Sequence, residues 1–268
     1  MSISSQADAW QQSARIGMAT AADTIVNYPL WMYAKRSSAG LCGPTSPYLL
    51  YKGCFSIWLS TGPTIIAEEA ISRTVAELSD GASSNSLSKL GAGVLAGATA
   101  AVLITSPVED IVTKAHARGT SVLSILQTKI RSRNGLISLC LPHGALACAG
   151  REVPFATSLF CVQPAVSKWM STGKKPQLQH ELSGAVVAAA VGCPLGQAPA
   201  VVMAYQQAND VNFKTAFDIL SRQGTRRLFR GVIARTVSCA STMAIVPIVS
   251  KLLNFELQEE RHNVRPCV

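Results

Sequence analysis

An arginine and a glutamate stand side by side in the apolar run ALACAGREVPFATSLFCV, at Arg151 and Glu152. Ionisable side chains at membrane depth are costly, and they usually mark function. Two readings follow: contact with a charged solute, or a structural pair between helices. Glu68 and Glu69 are a second ionisable pair within apolar sequence. Near the outer end of their segment they read as solvated structural groups, with proton coupling as the alternative. No catalytic constellation accompanies either pair. His116, His143, His180 and His262 lack cysteine or carboxylate partners at ligand spacing, and the eight cysteines contain no CxxC. The expectation is therefore neither a zinc site nor a disulfide framework, and no cofactor. Gly91, Gly93 and Gly97 read as close helix packing rather than as a phosphate-binding loop.

Composition says where such residues would sit. Hydrophobic residues make up 48% of the 268 and charged residues only 15%, against about 25% charge in an ordinary soluble domain. Mean hydropathy is +0.26. The apolar stretches are rich in Ala, Gly, Ser and Thr, the residues that let helices pack closely in a bilayer. The formal charge of +9 raises nucleic acid as a partner. The basic residues, however, cluster after the expected spans, at Lys35 and Arg36, at 114–133 and at 214–230. That distribution predicts positive loops on one side of a membrane, with anionic lipid rather than nucleic acid as the counter-charge. The N-terminal stretch lacks the apolar core of a secretory signal.

The elements that must position the charged pairs recur. Gly97 precedes Pro107 by ten residues and Gly184 precedes Pro194 by ten, with a weaker copy at 19–29 ending on Pro29. Long apolar helices are predicted at 9–36, 52–78, 90–114, 144–170, 182–209 and 231–254. Short amphipathic helices, suited to lying on a membrane surface, are predicted at 120–135 and 211–224. The predicted fold class is an all-α membrane protein of six transmembrane helices. They form three pseudosymmetric repeats, approximately 9–80, 86–172 and 178–256, with the first copy too short for its surface helix.

Four stretches carry a resemblance to the mitochondrial carriers: FKTAFDILSRQGTRRLFRG, SVLSILQTKIRSRNGLISL, REVPFAT at 151–157, and the proline-containing helix at 90–114. The resemblance implies a threefold pseudosymmetric six-helix barrel around a central cavity, in the mitochondrial inner membrane. Both termini would face the intermembrane space and the surface helices the matrix. It places Arg151 and Glu152 at the family's central substrate contact, where an Arg followed by an acid goes with amino-acid-like solutes. The pseudosymmetric positions are Ser60, Thr61, Ser238 and Cys239. Tyr51-Lys52-Gly53 and Phe229-Arg230-Gly231 resemble the cardiolipin-binding starts of even helices, and Pro142-His143-Gly144 keeps only the glycine. Free N–H groups and the positive dipole end of a helix favour a phosphate there.

The departures concern the gates. The family bears Pro-x-[Asp/Glu]-x-x-[Lys/Arg] on its odd helices, whose acids and bases pair between repeats. Here the copies are Pro29-Leu-Trp31-Met-Tyr-Ala34, Pro107-Val-Glu109-Asp-Ile-Val112 and Pro194-Leu-Gly196-Gln-Ala-Pro199. Glu109 is left as the one acid, and no inter-repeat salt bridge is expected from these positions. On the even helices Arg73, Pro164 and Lys251 fall at acid positions, and Ala76, Ser167 and Asn254 at basic ones. The expectation is a degenerate carrier with little or no transport, an accessory or structural subunit of a respiratory or ATP synthase assembly. An active carrier of small charged, amino-acid-like metabolites is the alternative, and an outer-membrane homologue the second.

Overall fold

The computed structural model describes residues 3–41, 46–79, 86–132, 135–171 and 177–263. The side chains of Glu69, Arg73, Ala76 and Asn254 lie outside the described residues.

In chain order the helices are α1 (Ile3–Ala39), α2 (Pro47–Tyr51), α3 (Cys54–Ser79), α4 (Ser86–Ala100) and α5 (Ser106–Ala117). Next come α6 (Val122–Arg131), α7 (Gly135–Cys140), α8 (Ala145–Thr157), α9 (Gln163–Met170) and α10 (Leu178–Leu195). Last are α11 (Gln197–Asn209), α12 (Phe213–Arg222), α13 (Thr225–Leu228) and α14 (Val232–Asn263). A π-helical turn, Ala101–Thr105, joins α4 to α5, and a second, Ser158–Val162, joins α8 to α9. No strand occurs among the described residues.

These elements make six long rods: α1, α3, α4–α5, α8–α9, α10–α11 and α14. Each packs against the next, and α14 returns to α1, so the rods close into a ring. Neighbours run antiparallel. Along α1 and α14, Asn27 Nδ2 donates to the Ser238 carbonyl at 2.7 Å, Thr242 Oγ1 donates to Asp23 Oδ2 at 3.0 Å, and Ser38 reaches the Arg230 carbonyl. The starts of α1 and the ends of α14 therefore share one end of the ring.

Glycine permits the close approach. A Cβ on Gly97 would lie 3.0 Å from the Glu152 carbonyl oxygen, and one on Gly93 would lie 3.3 Å from the Thr157 backbone. Gly192 meets the Pro154 carbonyl and Gly196 the Arg151 carbonyl in the same way, across the α8–α10 seam. Gly91 touches nothing and takes no part.

Polarity is inverted relative to a protein in water. Asp23, Asn27, Glu68, Glu109, Asp110 and Arg151 are buried, whereas Ile25, Phe55, Leu103, Leu146 and Ile233 are exposed. Among the described residues three helices are long and apolar enough to cross a membrane: 93–117, 137–170 and 225–253. The bent pair α10 and α11 makes a fourth candidate. The rods α1 and α3 carry more charge, including Asp23, Lys35 and Glu68, but all three of these line the interior of the ring. A sequence average counts those charges without knowing which way they point.

The repeated prolines are absorbed in three ways. Proline removes an N–H and clashes with the preceding turn, so a helix interior must adjust. α1 runs through Pro29 as a continuous helix. Before Pro107 the chain widens into the π turn, with the Ser106 N–H bonding the Ala101 carbonyl five residues back. The third rod breaks at Gly196, where α10 and α11 meet at 59°.

The helix ends correct the third proline. α1 ends before Gly40, α5 before Arg118 and α11 before Asp210, so Pro29 and Pro107 each stand eleven residues ahead of their caps. Eleven residues before Asp210 is Pro199, not Pro194. Register in the third repeat therefore puts Val201 and Ala204, both buried, where Gly196 and Pro199 had been expected.

The surface helices form where expected. Ser121 caps α6 by accepting from the Ser124 N–H at 3.1 Å, and Asn212 caps α12 by accepting from the Thr215 N–H at 2.8 Å. A side-chain oxygen there satisfies an N–H that the first turn leaves free. Leu123 and Ile130 on α6 and the stacked Phe213 and Phe217 on α12 remain exposed. Exposed apolar side chains on short amphipathic helices suit a bilayer interface. Between α1 and α3 the described residues hold only the five-residue α2.

Candidate functional site

The C-terminal halves of the odd rods, α1, α5 and α11, converge at one end of the ring. There Lys35 pairs with Glu109 across α1 and α5. Arg151 of α8 grips the same carboxylate with two hydrogen bonds, Nη1 to Oε2 and Nη2 to Oε1, each 2.7 Å, and its Nη2 also pairs with Glu152. Side-chain exposure is 8% for Lys35, 5% for Glu109 and 7% for Arg151. The third rod adds a neutral group. Gln207 Oε1 accepts from Lys35 Nζ at 3.3 Å and from Thr113 Oγ1 at 3.2 Å.

This cluster corrects the expectation that Glu109 stands alone. Its partner Lys35 lies six residues past Pro29, one beyond the position where the spacing places a base. Lys35 had also read as a loop charge. It lies instead within a helix that continues to Ala39, with its side chain turned inward. A lysine's four-carbon stem covers the one-residue offset.

A cavity of about 160 Å³ lies inside the ring, bounded by this cluster. Arg151, Glu152, Ser60, Thr61, Ser238 and Cys239 all line it, so the residues expected to share a central site do come together. Sequence reasoning missed Asp23, Asn27, Thr64, Arg235 and Thr242, which also face the space. Their signal was available: polar residues recur at Asp23, Asn27 and, eight residues on, Lys35, the spacing of one helix face. Arg235 Nη1 donates to the Gly196 carbonyl at 3.3 Å, which supports the broken third rod at its bend. Glu68 is 1% exposed and lines the cavity, so the solvated role expected for it does not hold.

Of the gate-motif residues, Pro29 and Pro107 lie at corresponding positions, while Pro194 lies just before the α10–α11 break. At the opposite end of the ring Lys251 Nζ lies 2.5 Å from Glu181 of α10. Lys251 thus has an acid partner on the neighbouring rod, which spacing within the even helices could not supply. Ser167 Oγ donates to the His180 carbonyl.

The three helix-start glycines behave alike. Gly53, Gly144 and Gly231 have φ of +87°, +96° and +83°. Each is packed against the odd rod of the next repeat: Gly53 against Val112, Gly144 against Met203 and Gly231 against the Ala34 carbonyl. An L side chain would be strained in backbone and crowded in space at all three. Tyr51, Phe229 and Arg230 are exposed, while Lys52 is half-buried, its Nζ reaching the Ala115 carbonyl at 3.4 Å. His116 contacts the Lys52 carbonyl at 2.7 Å.

A second ionic group surrounds the end of α5. Buried Asp110 pairs with Lys129 of α6 and with Lys114, and Lys114 Nζ also reaches Asp210 at 2.8 Å. His143 joins Asp210 at 3.0 Å. Partial burial pushes the Asp210 carboxyl up, but the hydrogen bonds from Lys114 and His143 outweigh it and hold the group below its ordinary range.

Cys54, Cys140, Cys148, Cys161, Cys193 and Cys239 are free thiols. No metal-holding group of His, Cys, Asp or Glu occurs among the described residues. No family model matches the chain, and no curated protein matches it significantly.

Proposed function

We propose that the chain is a solute carrier of the mitochondrial carrier type, in a state closed at the surface-helix end. The observation that carries this reading is the Lys35–Glu109 pair between the first and second repeats, at one end of a cavity that charged side chains help to line. Loss of such pairs was the main reason to expect an accessory protein. Alternating access needs two states of comparable free energy, each closed by its own contacts. An ion pair beside a wettable cavity can open on one side, and Glu181–Lys251 offers a contact at the other. The ring of six rods, the three left-handed glycines and the inward polar faces support the threefold carrier architecture. Six spans and an inner-membrane site with bound cardiolipin belong to this proposal.

Arg151 and Glu152 present both signs of charge to the cavity, which suits small amino-acid-like solutes. Purified protein in cardiolipin-containing liposomes should give saturable exchange of at least one member of a panel of amino acids and carboxylates. Exchange should fall at least tenfold in Arg151→Ala. Absence of exchange across the panel, for a protein that melts cooperatively, would sink the proposal.

The accessory reading retains one specific support. Arg151 is held by Glu109 and Glu152 together, as a static brace would be. Under that reading native gels of mild detergent extracts place the chain in a respiratory or ATP synthase assembly, and transport is absent. An outer-membrane position would emerge from submitochondrial fractionation.

A further inference from the structure

Among the described residues, the cavity wall carries one more acid than base. Four are acids: Asp23, Glu68, Glu109 and Glu152. Three are bases: Lys35, Arg151 and Arg235. Glu109 and Glu152 are satisfied by Lys35 and Arg151. Asp23 has the Thr242 hydroxyl as a donor at 3.0 Å. Glu68 has no ion-pair partner among the described residues, and its Oε1 is buried without a hydrogen bond.

Its surroundings offer little to hold a negative charge. From α1 the cavity receives Asp23 and Lys35, and Lys35 is committed to Glu109. Arg15, further up α1, has partners of its own and does not line the cavity. From the rod α4–α5 come Thr105 and Glu109, and Thr105 is bonded to Thr64 at 3.0 Å. α8 contributes Arg151 and Glu152, and α14 contributes Arg235, which donates to the Gly196 carbonyl. An isolated buried carboxylate costs far more than its neutral acid, and the group takes up a proton instead.

We propose that Glu68 is a proton-binding site of this cavity. It holds a proton when the cavity is closed and empty, and releases it when the cavity opens or a cationic group of the solute replaces it. The step is a simple transfer. A proton from water forms an O–H bond at a Glu68 carboxylate oxygen and later returns to water. Solute movement is then coupled to movement of one proton. This coupling rests on the carrier reading, whereas the resting proton does not.

Infrared spectroscopy of the purified protein in lipid tests the resting proton without any solute. At neutral pH the wild type should show a protonated-carboxyl band that Glu68→Gln removes and Asp23→Asn leaves in place. A spectrum with no such band, or one that Glu68→Gln does not alter, overturns the proposal. Vesicles loaded with a pH-indicator dye test the coupling with the same amino-acid and carboxylate panel. The dye should report proton movement with exchange in wild type and none in Glu68→Gln. Exchange with no dye signal in wild type would reject the coupling while leaving the carrier reading intact. A Glu68-dependent band without exchange would keep the proton site and reject the carrier reading.

Discussion

The Lys35–Glu109 contact between α1 and α5 is ionic and buried, whereas α11 meets both rods through the neutral Gln207 and meets α5 ionically at its partly exposed cap, where Lys114 reaches Asp210. At the first, Lys35 and Arg151 converge on Glu109 in a buried cluster. On α11 Gln207 accepts hydrogen bonds, and Val201 and Ala204 pack where charges would complete a symmetric set. The two kinds of contact respond differently to water. A buried ion pair is weak evidence for stability, because desolvation offsets its attraction, yet losing one partner strands the other. Such a contact releases when water enters the cavity. A packed contact has no comparable trigger.

The sharpest way to break that contrast is Glu109→Ala, which leaves Lys35 and Arg151 together without their shared acid. Breaking a buried pair costs about 3–5 kcal/mol, and the thermal transition in lipid should fall accordingly. Lys35→Met should cost clearly less, because Glu109 keeps both Arg151 hydrogen bonds. Equal losses in the two variants would show that Lys35, rather than Arg151, holds Glu109. At the neutral junction Gln207→Leu removes the acceptor used by Thr113 and Lys35. Leaving buried donors unsatisfied costs about 1–3 kcal/mol, again read as a lowered melting temperature.

Two smaller effects bound the comparison from outside the closed end. Asp210 is about half exposed, so Asp210→Asn should cost about 1 kcal/mol or less. Its folded-state carboxyl is held low, so the contribution is present above the ordinary carboxylate range. It disappears as pH falls through the depressed value, and the variant should lose that part of the acid dependence of melting. Lys251→Ala removes the exposed pair with Glu181, and about 1 kcal/mol or less should be lost. High salt should erase the difference from wild type at Lys251 but not at Glu109, since exposed pairs are screened more than buried ones.

Much of the framework was legible in the chain itself. Small-residue apolar segments ending in proline predicted the odd rods, and α6 and α12 follow from their apolar stripes. Gly53, Gly144 and Gly231, which the resemblance singled out as helix starts, adopt positive φ. The site was legible in part. Arg151, Glu152, Ser60, Thr61 and Ser238 share one cavity because helix periodicity carries their spacing into three dimensions. What failed was strict motif spacing. It assigned Pro194 where helix ends pick Pro199, and it overlooked Lys35 because one residue along a helix turns the Cα by about 100°. A flexible side chain makes up that turn, and residue counting cannot register it.

The sequence by itself determined that the chain is helical, apolar along long segments and interrupted by three related proline sites. Those properties depend on local periodicity and backbone chemistry, which neighbouring residues settle among themselves. Only the tertiary structure decided that Glu109 is shared by two cations while Glu68 has none among the described residues. Pairing between groups 74 and 42 residues apart depends on which rods converge and which faces they turn inward. Charge inside a low-dielectric ring is a property of the assembled wall, because each carboxylate's state is set by whatever the other rods place opposite it.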